Sequence, residues 1–212
     1  MSRALEKFSK TLILPVVIVT KDGRASLKKY QNVAHGLVAH NVIHLGTYEL
    51  AGGSISPFYI NLRPLRSSPK LMRQLARAMV DAATKDLGLQ FDFIADVPTA
   101  ATPLVAVMSQ ISGIPMISPV LERKQRGMDN PVLGLYQSGQ TVLLIDDVAS
   151  GGGSLCHAAA VLRRENLVVT HALVVINRQM GAVHRLKDAN IKLHHLFTAQ
   201  ELLDIMRVQK PA

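Results

Sequence analysis

The stretch Val142 to Ser154, VLLIDDVASGGGS, ends an apolar run in two adjacent carboxylates, Asp146 and Asp147. Gly151, Gly152 and Gly153 follow, flanked by Ser150 and Ser154. The two halves ask for different chemistry. Glycines between a strand and a helix can take positive φ and let a ligand approach the backbone closely. Their N–H groups, together with the start of the next helix, form a cradle for an anion, and the two serines add hydroxyl donors. Carboxylates repel phosphate, so the acids need another purpose: hydrogen bonds to ribose hydroxyls, or a share in holding Mg²⁺ that offsets the phosphate charge. A ribose-phosphate ligand uses both halves at once. The competing reading is a plain strand-to-helix turn with an acid at the helix start. A second acid and two extra glycines count against it.

Other chemistries find no support. There is no G-x-x-x-x-G-K-[ST] phosphate loop and no G-x-G-x-x-G after a strand, which disfavours a dinucleotide site. HExxH, CxxC and EF-hand patterns are absent as well. His40 and His44 stand four apart without a third ligand, and they read as ordinary helix residues. His194 and His195 fall on opposite faces of a strand. The single cysteine, Cys156, excludes an intrachain disulfide and fits a reducing cytoplasm.

The elements that position the acids and glycines can be read from the same text. Ser68-Pro69 supplies an N-cap and a first-turn proline. Leu71, Met72, Leu75, Ala76, Met79 and Val80 recur at helical spacing up to Gly88. Phe91 to Val97 reads as a short buried strand, Thr102 to Gly113 as a helix, and Pro115 to Pro119 as extended chain. Glu122 to Pro131, ERKQRGMDNP, is a polar loop or lid. A strand at 141–145, a helix at 153–165, a strand at 168–176, a short extended segment at 192–197 and a helix at 199–207 complete the series. Regular alternation of strand and helix predicts right-handed βαβ units and a mostly parallel sheet flanked by helices, an α/β fold. In such sheets ligands sit beyond the carboxyl ends of the strands, where Asp146 and Asp147 fall.

Composition agrees with that class. Hydrophobic residues make up 48% and aromatics only 4%, so the core is aliphatic, as in sheets covered on both faces. The formal charge of +9 points to an anionic partner. No basic stripe interleaved with aromatics speaks for nucleic acid. The longest apolar run, Leu12 to Val19, contains Pro15 and is too short to span a bilayer, so no membrane role is expected. Residues 1–36 read as an N-terminal extension, with a strand at 12–19, and 37–212 as one domain.

VLLIDDVASGGGS resembles the 5-phosphoribosyl-1-diphosphate (PRPP) motif of the type I phosphoribosyltransferases. Two further stretches narrow the resemblance: LAGGSISPFYINLR (50–63) is similar to the SPxY segment of orotate phosphoribosyltransferases, and 176–206 to their C-terminal stretch. The likeness is nearest to the orotate domain of bifunctional UMP synthases. It implies a mostly parallel sheet flanked by helices, with a small hood from N- and C-terminal segments. It also implies transfer of phosphoribose from PRPP to orotate, giving orotidine 5′-monophosphate and pyrophosphate.

By the same resemblance, Asp146 and Asp147 contact the ribose of PRPP. Val148 and Ala149 also belong to the PRPP site, and the loop of Ser150, Gly151, Gly152, Gly153 and Ser154 cradles its 5′-phosphate. Arg123 and Lys124 belong to a loop that closes over pyrophosphate. Asp147, Lys124 and Arg126 are the candidate catalytic residues. Tyr59, Ile60, Ser150 and Arg178 face orotate. Mg²⁺ is the implied cofactor, bound mainly through PRPP with Asp146 and Asp147 as candidate contacts. A loop shared between subunits implies a homodimer.

The chain also departs from the family. After Arg123-Lys124 it reads QRGMDNPVLG, about three residues shorter than the family loop, without that loop's further lysine and histidine. Arg126 is the candidate substitute for the lysine. Ala51 stands where another family lysine is usual, as does Ala100 for some members. Asn177 replaces an aspartate, and Ala182 the second of two glycines. These departures leave two alternatives open: a PRPP-binding protein with little catalysis, or a transferase for another base.

Overall fold

The structure is a computed structural model of the 212-residue chain, and it describes residues 28–49, 53, 55–121 and 130–209. The expected strand at 12–19 lies outside the described residues, as does most of the polar loop at 122–131.

The chain enters through α1 (Gln31–Ala39) and a hairpin of β1 (Ile43–Glu49) and β2 (Ile55–Ile60). Next come α2 (Pro69–Asp81), β3 (Phe93–Asp96), α3 (Thr102–Ser112), β4 (Met116–Pro119) and the short β5 (Val132–Leu133). β6 (Thr141–Ala149), α4 (Gly153–Arg164), β7 (Val168–Asn177), α5 (Ala182–Asp188), β8 (Lys192–Thr198) and α6 (Ala199–Gln209) complete it. The main sheet has the order β5-β4-β3-β6-β7-β8, parallel throughout except for β5, which runs antiparallel to β4. The expected parallel α/β fold is therefore the one observed. The β1–β2 hairpin forms a separate small sheet, and α1 packs against both α2 and α6, so the hood draws on both ends of the described chain.

Strand alternation divides the interior in two. In β6, Leu143 and Ile145 face the core under α1, α2, α3 and α6, whereas Val142 and Leu144 face the core under α4 and α5. A strand buried on both faces must be apolar along its whole length, which is why β6 reads VLLI before its acids. Most side chains of both cores are aliphatic, as the low aromatic content requires.

Several boundaries differ from the sequence reading. β6 runs to Ala149, four residues beyond the apolar stretch, so Asp146 and Asp147 lie within the paired strand. The end of α2 widens into a π turn over Ala82–Asp86 before Gly88 takes a left-handed φ of 61°. Ser68 occupies the N-cap position, yet its hydroxyl pairs with His40 Nε2 at 3.0 Å rather than capping a helix N–H. His40 and His44 do not share a helix. His40 ends α1, Asn41 turns the chain with a φ of 49°, and His44 lies on β1 opposite Tyr59. Their spacing of four therefore spans a helix end and a strand. Among the described residues no helix is long and apolar enough to cross a membrane.

His194 and His195 do alternate on β8, but both are buried. His194 Nε2 meets His171 Nδ1 on β7 at 3.0 Å, and the two rings stack with centroids 5.2 Å apart. Burial, then the charges of His171 and Lys192, push the His194 imidazole down to about 4. A histidine held neutral in the fold but protonated at about 6.5 when unfolded supports the fold above that pH and withdraws that support as pH falls. Relative to His194→Gln, the wild type should lose up to roughly 3 kcal/mol of stability as pH drops through that window. Parallel denaturant titrations of the two proteins read the difference. A pH-independent difference would contradict it.

Candidate active site

β6 and β7 pair in register to their ends, with Ala149 opposite Asn177. The chain leaves both strands at one level, and the Arg178 N–H donates to the Ala149 carbonyl at 2.9 Å. That pairing sets the loop after β6 beside the arginine after β7. Asp146 and Asp147 look out at the same end of the sheet. Asp146 is 6% exposed, and one of its oxygens accepts the Asp147 N–H at 2.8 Å. Asp147, half-buried, accepts the Val148 N–H at 2.7 Å. Burial raises both carboxyls above the ordinary carboxylate range; the charge of Asp147 adds to the rise at Asp146, whereas hydrogen bonding with Asp146 and from the Val148 N–H, and then Arg63, oppose it at Asp147. Asp96, buried at the end of β3, accepts from the hydroxyls of Thr102 and Ser118 and adds to the negative field on Asp146.

Gly152 makes the turn into α4. It takes a φ of 78°, and a Cβ there would lie 2.7 Å from Leu186 and 3.2 Å from the Ala182 backbone. Only glycine satisfies both constraints. The loop is tied to α5 from the other side, because the Ala182 N–H donates to the Ser150 carbonyl at 3.1 Å. Ala182, standing where the resemblance has a glycine, is fully buried in this contact. Asn177 keeps an acceptor at its position: its side-chain oxygen takes the Gln179 N–H at 2.8 Å.

Arg178 is 8% exposed. One Nη donates to Ser56 Oγ at 2.7 Å and to the Phe58 carbonyl at 3.2 Å, and the guanidinium lies 4.8 Å from the Phe58 ring centroid. Its Nε has no partner, and among the described residues no carboxylate pairs with it. A buried, unneutralised guanidinium with one edge anchored is a receptor for an anion at its other edge.

These groups line one cleft of about 740 Å³. Of the residues singled out in the sequence, Asp146 to Ser154, Tyr59, Ile60 and Arg178 meet there, with the Tyr59 ring tilted at 37° against Tyr48, 5.5 Å between centroids. Arg123, Lys124, Arg126 and Ala51 lie outside the described residues. Ala100 lines the cleft from the turn between β3 and α3, where the Pro98–Thr99 bond is cis.

The structure adds Glu49, Arg63 and Arg185 to the walls. Arg63 was within reach of the sequence reading, three residues past Ile60 on the same quoted segment. Arg185 carries no signal in the sequence, since a helix of 7 residues is too short to show a clear period. Together the cleft presents the paired carboxylates of Asp146 and Asp147 with Glu49 on a further wall, a bare N–H loop at a helix start, the buried guanidinium of Arg178, and the guanidinium groups of Arg63 and Arg185. That set matches a ligand with hydroxyls and phosphate beside a planar anion.

No family model matches the chain. It is 35% identical to an orotate phosphoribosyltransferase of Caenorhabditis elegans over 187 residues, 88% of this chain and 82% of that protein. Its structure is similar to that of Leishmania donovani UMP synthase, with a TM-score of 0.75 and 30% identity over 84% of this chain and 38% of that one. The orotate phosphoribosyltransferase of Aeropyrum pernix shares the fold with a TM-score of 0.72 and 24% identity, covering 82% of this chain and 98% of that one.

The acid pair sets a testable cost. A carboxyl raised above its unfolded value supports the fold while protonated and withdraws that support as pH rises through the folded value. This sign is opposite to that of His194. Asp146→Asn should therefore stabilise the ligand-free protein near neutral pH. A gain of about 1 kcal/mol corresponds to roughly 2–4 °C in Tm for a chain of this size. Thermal unfolding of both proteins should show the gain shrinking as pH falls; an Asn variant less stable at every pH would contradict it.

Proposed function

The chain belongs to the orotate phosphoribosyltransferase family, and we propose that its cleft transfers the phosphoribosyl group of PRPP to orotate in pyrimidine synthesis. The observation that carries this reading is Arg178, a buried guanidinium without a carboxylate, in the same cleft as the acid pair and the glycine loop. Orotate brings the missing carboxylate. Ser56 and the Phe58 carbonyl fix one edge of the guanidinium, leaving the other for a charge-assisted pair that orients the base. Tyr59 and Ile60 give the flat ring an apolar wall.

In the reaction the N1–C1′ bond forms as the C1′–O bond to pyrophosphate breaks. The bonding pair leaves on pyrophosphate, which takes up the N1 proton that orotate gives up. Positive charge grows on the ribose meanwhile, and the Asp147 carboxylate stabilises that charge. Asp146 and Asp147 accept from the ribose hydroxyls, and the loop from Ser150 to Ser154 donates to the 5′-phosphate. Mg²⁺ would fit this donor set, since two carboxylates raised by burial share the cleft, and the backbone N–H donors and Arg63 offset that rise only in part. Bound mainly through PRPP, it supplies charge neutralisation for the departing pyrophosphate. Arg123, Lys124 and Arg126 complete the pyrophosphate side, with Lys124 and Arg126 acting on the leaving group. The enzyme works as a homodimer in the cytoplasm, one subunit's loop closing over the other's cleft.

Arg178→Lys tests the reading, because it keeps a cation and loses the planar fork. Loss of a charge-assisted pair, worth about 1.5–3 kcal/mol, should raise the orotate KM roughly 10- to 100-fold and leave PRPP affinity within about threefold. An unchanged orotate KM would remove Arg178 from the base site.

A further inference from the structure

We infer that Arg185, on α5, is a phosphate-binding residue of this cleft and supplies the full positive charge that the glycine loop lacks. The inference rests on the phosphoribosyl reading and deepens it. The loop from Ser150 to Ser154 offers N–H groups, hydroxyls and the partial charge of the α4 start, but no cation. A dianionic phosphate held there also lies close to Asp146 and Asp147, so backbone dipoles alone must work against two carboxylates.

Arg185 answers that deficit by geometry. Its Nη1 lies 3.3 Å from where a Cβ on Gly153 would sit and 3.8 Å from the corresponding position on Gly151. Gly153 thus leaves space that the guanidinium approaches, and Gly151 lies within ordinary contact distance of it. Among the described residues nothing accepts from that guanidinium and no carboxylate pairs with it, although the residue is exposed and lines the cleft. Its helix is held in place. Ala182 and Leu186 pack on Gly152, the Ala182 N–H donates to Ser150, and Arg163 donates to the Ala189 carbonyl at 2.8 Å just past the end of α5. An arginine on a helix anchored at both ends loses less freedom on meeting a phosphate than one on a loop, and its fork suits two phosphate oxygens.

The bareness of the loop therefore serves two ends. Gly152 is required by backbone conformation and close packing. Gly153 eases the approach of Arg185, since a Cβ there would stand 3.3 Å from its Nη1.

The test uses the intact protein and two ligands that divide PRPP between them: ribose 5-phosphate, and pyrophosphate with Mg²⁺. Arg185→Ala should weaken ribose 5-phosphate about tenfold and change pyrophosphate affinity by less than about twofold. Arg185→Lys should recover part of the loss. Lys187→Ala removes the same charge from the same helix outside the cleft, and it should leave ribose 5-phosphate affinity within about twofold. In steady state, Arg185→Ala should raise the PRPP KM and leave the orotate KM alone. If wild type binds ribose 5-phosphate and Arg185→Ala binds it equally well, the role of Arg185 is overturned while the phosphoribosyl reading stands. If Lys187→Ala loses as much as Arg185→Ala, the effect is diffuse electrostatics and the assignment fails. If wild type binds neither ribose 5-phosphate nor PRPP, the phosphoribosyl reading falls and takes this inference with it.

Discussion

Two carboxylates held out of water at the end of a central strand are the constraint on which the site depends. Asp146 and Asp147 follow each other on β6, so they repel at close range, and Asp96 on the neighbouring strand adds to the field. Among the described residues nothing neutralises them fully. Backbone N–H donors and Arg63 relieve part of the strain, and burial still raises both carboxyls. Groups arranged this way destabilise the empty protein and strengthen whatever ligand offsets them, which is a usual relation between stability and function at a binding site.

The rest of the molecule holds this arrangement still. The parallel sheet places β6 between β3 and β7, and two aliphatic cores clamp it from both faces. Strand register then does the positioning: Ala149 opposite Asn177 brings the glycine loop level with Arg178, and the hood returns Ser56 and Phe58 to grip that arginine. The cleft is thus assembled from the hood, the sheet end and α5, elements distant in sequence. Positive charges stand apart within it, Arg178 beside the hood and Arg185 against the glycine loop. The acids lie on the strand that feeds the loop.

Much of this was legible in the sequence because local rules and tertiary demands agree there. A strand buried on both faces must read VLLI, and a phosphate loop at a helix start must be bare, so β6 and its loop announced themselves. The helix from Pro69 was visible in its apolar spacing and its first-turn proline. Other parts were hidden for physical reasons. The β1–β2 hairpin has mostly exposed residues on β1, so it lacks a strong period, and the pair His40 and His44 imitated a helix across its end. Ser68 stood at the N-cap as expected, but a tertiary partner, His40, claimed its hydroxyl. Arg185 reaches the site from a seven-residue helix after a turn, and its place depends on packing between α4 and α5 that no local pattern encodes.

The most direct test of the account is the ultraviolet absorbance of orotate in the presence of the purified protein, PRPP and Mg²⁺. A steady loss is expected that requires all three and yields orotidine 5′-monophosphate and pyrophosphate in equal amounts. No loss of orotate, under conditions where PRPP is shown to bind, would contradict it and leave a phosphoribosyl-binding protein without this transfer.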